Sequence, residues 1–94
     1  MPTLDDCSAT TKLILNWLRE YYRQYITINY YPYCIEISFR HGLIEITQYD
    51  SMRPRCHISY LGLEGYTDSE SVNVFALNVK PILDNVKDIK EYVP

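Results

Sequence analysis

Three cysteines, two histidines and a scatter of carboxylates are the residues of this 94-residue chain that could do covalent or metal chemistry. A structural zinc site takes two ligands close in sequence, so that one local turn supplies two bonds. Among Cys7, Cys34, Cys56, His41 and His57 only Cys56-His57 is close, and neighbours on a strand point to opposite faces. No metal and no other cofactor is expected. A nucleophilic thiol would need Cys34 in contact with His41 or His57 and an electropositive setting, of which the sequence supplies only the residue types. Cysteine commonly packs as a small hydrophobe instead. Glu36 and Glu45 are the nearest approach to a carboxylate pair, and they fall on the polar side of two strands, where solvation is the plainer role. No glycine-rich phosphate loop is present, and the chain is expected not to be an enzyme.

The aromatic residues carry a more specific signal. Ten tyrosines stand out in composition, and with Trp17, Phe39 and Phe75 they bring aromatics to 14%. Tyr21, Tyr22 and Tyr25 fall on or beside the core side of a helix, where a tyrosine packs its ring and keeps its hydroxyl at the rim. Tyr30, Tyr31 and Tyr33 instead surround Pro32 at a turn, so side-chain alternation sends at least one ring into solvent. A second loop carries Met52, Arg53 and Arg55. Tyrosine, methionine and arginine are enriched at the centres of protein interfaces. Tyr30, Tyr31, Tyr33, Met52, Arg53 and Arg55 are therefore the candidate partner-binding set.

Positioning these residues falls to the elements around them. Asp6 or Ser8 can cap a helix over about 8–25, with Ile14, Trp17, Leu18, Tyr21 and Tyr25 at steps of three and four. From Ile26 the period becomes two. Ile26, Ile28 and Tyr30 mark one strand, and Ile35, Ile37 and Phe39 a second. His41-Gly42 reads as a hairpin turn that sets Phe39 opposite Ile44 and Ile37 opposite Ile46. A fourth strand covers about 55–61, after which Gly62 and Gly65 break the chain. Val72, Phe75, Ala76 and Val79 have helical spacing behind a capping pair, Thr67 and Glu70, although Val72-Asn73-Val74-Phe75 also has the propensity of a strand, and Pro81 opens a last helix to about 92.

The resulting fold class is α+β in a single domain over 1–94. It is a two-layer sandwich with an N-terminal helix, an antiparallel four-stranded meander, and one or two C-terminal helices on the same sheet face. Trp17, Ile37, Phe39, Ile44, Ile46, Ile58 and Val86 form the expected core, and Thr27, Asn29, Glu36, Ser38, Glu45, Thr47, His57 and Ser59 the outer face. In a meander the first and third connections emerge at one end, which brings the candidate set together.

A net charge of −3 and a pI near 5.2 repel a phosphate backbone, so duplex nucleic acid is not an expected partner. Three cysteines without a short framework, a start with no basic or apolar leader, and no apolar run long enough for a membrane span point to thiols, a cytoplasmic location and no membrane. The leading expectation is a non-enzymatic module that binds a protein partner through the Tyr/Arg-rich sheet end, as a regulator, an adaptor or an inhibitor of the kind phages and viruses encode. Self-association into a homodimer, through edge strands or the tyrosine end, is a further expectation. The alternative is a single-stranded nucleic acid-binding protein that stacks bases on the tyrosines.

Overall fold

A computed structural model of the chain describes residues 3–68 and 71–90, with the backbone alone for 66–68 and 88–90. Helix α1 (Ala9–Tyr22) starts at Ser8, whose side chain accepts the Thr11 N–H at 3.2 Å while its hydroxyl lies 3.1 Å from Thr11 Oγ1. This cap gives the N–H and hydroxyl of Thr11 a partner, and Thr11 lies fully buried in the core. The buried stripe keeps the expected Ile14 and Leu18 but otherwise runs through Thr11, Leu15 and Tyr22, rotated away from Trp17 and Tyr21. Tyr22 is buried, Trp17 only partly so, and Tyr21 is 57% exposed. A 3-10 turn, Arg23–Tyr25, then delivers the chain to the sheet.

Five strands follow: β1 (Ile26–Tyr30), β2 (Cys34–Phe39), β3 (Gly42–Thr47), β4 (Arg55–Tyr60) and β5 (Leu63–Asp68). They form one antiparallel sheet in sequence order. The fold is α+β as expected, but the meander has five strands instead of four. The physical reason is the Leu61-Gly62 pair, with φ of 51° and 81°. Two left-handed residues in a row make the turn whose twist matches that of the strands, so the chain reverses there instead of leaving the sheet. Gly65 sits inside β5, opposite Ile58.

The β2–β3 register also differs from expectation. Ile37 pairs with Ile44, Ile35 with Ile46 and Glu36 with Glu45, a shift of two positions that leaves every side chain on its expected face. The turn residues are Arg40 and His41, and His41 alone supplies the positive φ, 63°. Gly42 already belongs to β3 and is required there for space. A Cβ at that position would stand 2.4 Å from the Phe39 ring edge and 2.6 Å from the Ser59 carbonyl oxygen.

Helix α2 (Val72–Lys90) follows Ser71, whose side chain accepts the Val74 N–H at 3.2 Å. Of the one or two helices expected here there is one, and it continues through Pro81. The proline removes one N–H bond to the carbonyl of Leu77, and both residues are exposed, so water can take the missing donor's place. Thr67 lies in β5 and does not cap this helix, and Glu70 lies outside the described residues.

Both helices cover the same sheet face. Ile37, Phe39, Ile44, Ile46, Ile58 and Val86 are buried together with residues of α1. The helices meet through Trp17, set edge-on to Phe75, and through the Tyr22 hydroxyl, which donates to Asp84 at 2.7 Å. Desolvation of Tyr22, then this hydrogen bond, raises the phenol's pKa. Among the described residues no helix is long and apolar enough to cross a membrane.

Candidate functional site

Pro32 and Tyr33 form the turn between β1 and β2, closed by a hydrogen bond from the Tyr31 N–H to the Cys34 carbonyl at 2.9 Å. Neither turn residue has a positive φ, so this is not one of the turns that suit hairpin twist. Proline sets the first turn position, and the second projects its side chain outward. The Tyr33 ring is accordingly 87% exposed.

The connection between β3 and β4, residues 48–54, is longer. Gln48 turns it with a φ of 54°, and its carbonyl accepts the Ser51 N–H at 2.8 Å. Ser51 Oγ accepts the Arg53 N–H at 3.2 Å. This local bonding holds Met52 68% exposed and Arg53 exposed. Tyr49 ties the loop to its surroundings: its hydroxyl lies 3.4 Å from the Pro32 carbonyl oxygen, and its own carbonyl accepts the Ser8 N–H at 2.8 Å. The first and third connections are therefore neighbours, joined through a residue that sequence reasoning passed over. Its signal was slight, a single aromatic just beyond the end of an alternating strand.

The six candidate residues divide between two faces. Tyr31, Cys34, Glu36, Thr47 and Arg55 share the outer, polar face, and Tyr33, Met52 and Arg53 crown its end. The Tyr31 ring is 43% exposed, and the Glu36 carboxylate on the same face raises the phenol's pKa. Tyr30 faces the helices. Its ring packs against the core and its hydroxyl accepts a hydrogen bond from Arg19 Nη2 at 2.5 Å.

Thiol chemistry finds little support in this geometry. Cys7, Cys34 and Cys56 form no disulfide. Burial raises the pKa of Cys34, and Glu36 and Glu45 raise it further, opposite to what a thiolate nucleophile needs. His41 lies at the other end of the sheet, and His57 is two strands away, roughly 10 Å by strand spacing alone. Glu36 and Glu45 face each other across β2 and β3, with Asn29 and His57 continuing the same row. Among the described residues no three histidine, cysteine or carboxylate side chains gather where they could hold a metal ion.

Burial raises the pKa of Tyr49, and Asp50 and Asp6 raise it further. Compared with protein-family models, curated proteins and solved structures, the chain matches none.

Proposed function

We propose that this chain is a non-enzymatic protein-interaction module whose contact surface is the sheet end built from Tyr31, Tyr33, Met52, Arg53 and Arg55. The observation that carries the reading is the exposure of Tyr33 and Met52 on two neighbouring connections that Tyr49 joins. Large aromatic and thioether side chains held in water cost solubility, and pre-ordering them lowers the entropy lost on binding. A regulator, an adaptor or an inhibitor of a larger protein fits such a surface, acting in a reducing, cytoplasmic setting that suits three thiols.

Nucleic acid fits less well. Asp6 and Asp50 stand at the same rim, where they would repel phosphates. The test is co-purification from the native host with wild type and with a Tyr33→Ala/Met52→Ala variant, followed by mass spectrometry. Loss of a specific protein by a variant of unchanged melting temperature supports the proposal. Retention of that protein moves the contact surface elsewhere, and capture of oligonucleotides that weakens steeply with salt replaces the protein partner with a nucleic acid.

A further inference from the structure

The open edge of the sheet at β1 has a chemistry of its own, independent of the tyrosine rim. Tyr31 and Cys34 form a hydrogen-bonded pair, and such pairs alternate along an antiparallel ladder. Asn29 and Thr27 therefore exchange their bonds with Glu36 and Ser38, whereas Ile26, Ile28 and Tyr30 direct their N–H and C=O groups away from β2. Among the described residues no further strand pairs with β1 on that side, and no turn bond engages the groups of Ile28 and Tyr30. Natural edges are usually guarded by a lysine, a proline or a bulge on the strand itself. The sequence Ile-Thr-Ile-Asn-Tyr over Ile26–Tyr30 has none of these.

What flanks the edge is a pair of arginines. Arg19 and Arg23, one helical turn apart, join Ile26 and Ile28 in lining a groove of about 310 Å³ between α1 and β1. Among the described residues neither arginine forms a salt bridge, and Arg19 spends only one of its donors on Tyr30. A strand added here would drop alternate side chains into this groove, onto two isoleucines and two guanidinium groups. A second copy pairing through its own β1 would bring four arginines together about the two-fold axis, which argues against self-pairing at this edge.

We infer that β1 is a docking edge for an extended, acidic segment of a partner protein, which adds as a sixth antiparallel strand and places carboxylate side chains on Arg19 and Arg23. Main-chain bonds to Ile28 and Tyr30 give affinity, and the two arginines select the charge. Antiparallel addition continues the existing ladder and aligns the segment's groove-facing residues with these two.

The probe is the capped peptide Thr-Glu-Thr-Val-Thr-Glu-Thr, compared with its counterpart carrying Lys for Glu, by titration into ¹⁵N-labelled protein. Amide shifts concentrated at Ile26–Tyr30, and at least about tenfold tighter binding of the Glu peptide, are expected. N-methylation of the Glu and Val amides should abolish binding, whereas N-methylation of the Thr amides should not. An Arg19→Glu/Arg23→Glu variant should reverse the peptide preference, and the peptide charge swap keeps the test valid should that variant fold poorly. Equal binding of both peptides, no binding at millimolar concentration, shifts centred on β5, indifference to N-methylation, or a wild-type dimer paired through β1 would each overturn the inference.

Discussion

The two ends of the sheet solve the same problem, reversing a strand, in opposite ways. At one end Arg40-His41 and Leu61-Gly62 are two-residue turns in which every positive φ is spent on tight reversal, and the Leu61 N–H bonds the His41 carbonyl at 2.9 Å. At the other end a proline turn and a seven-residue connection, 48–54, hold aromatic, thioether and guanidinium groups in water. The first end is shaped by backbone geometry and close packing. The second holds Tyr33, Met52 and Arg53 exposed, away from the core.

The sharpest way to break this contrast is at the tight end. Phe39→Ala removes a buried ring and should cost about 3–5 kcal/mol in a denaturant titration. Gly42→Ala places a methyl against that ring and the Ser59 carbonyl, and should cost about 1–3 kcal/mol. Combined, the two should cost less than their sum, because the ring is one of the two groups the new methyl strikes. Full additivity would mean that the backbone carbonyl alone enforces the glycine.

A smaller effect is expected at the Leu61-Gly62 turn. Gly62→Ala meets no neighbour yet must hold a φ of 81°, so its loss of about 1–2 kcal/mol would be pure backbone strain. Leu61→Asn should raise stability by about 0.5–1 kcal/mol, because asparagine accepts the left-handed conformation that leucine resists. At the tyrosine end, Tyr33→Ala and Met52→Ala should shift stability by less than about 0.5 kcal/mol in either direction. A loss comparable with that at Gly62 would make these side chains structural and erase the distinction between the ends.

The finest distinction is a titration. Because the Glu36 carboxylate favours its neutral form, the phenol of Tyr31 has a higher pKa folded than its ordinary 10.0. The stability it contributes is complete below pH 10.0 and is lost as pH rises toward the folded value. Ultraviolet difference spectra should show that Glu36→Gln lowers the onset of Tyr31 ionisation, with Tyr31→Phe as the control that removes the signal.

The α+β layering and the assignment of residues to sheet faces were legible because alternation at Ile35, Ile37, Ile44 and Ile46 survives any even register shift. The register itself was not, because Gly42 looked like a turn residue when its role is to make room for Phe39. β5 was hidden because Leu61-Gly62 matches no common Asn-Gly signal, and Gly65 suggested a break where there is a strand. The union of the last helix across Pro81 depends on exposure at Leu77, a tertiary property. Of the candidate site, the nearness of the two connections followed from meander topology alone. The turning of Tyr30 toward Arg19 required knowing where α1 lies, and so did the arginines beside β1.

The hydrogen bond from Tyr22 to Asp84 spans 62 positions, whereas every strand pairs with its neighbour in sequence. Hairpins can close within microseconds of their residues becoming available, so the sheet can assemble while the chain is still being made. The second half of its cover cannot. The 19 residues of α2 take about one to four seconds to synthesise at ordinary elongation rates. Until α2 docks, Ile44, Ile46 and Ile58 are covered by α1 at most, and the molecule presents an oily flank to whatever chaperones or sibling chains surround it.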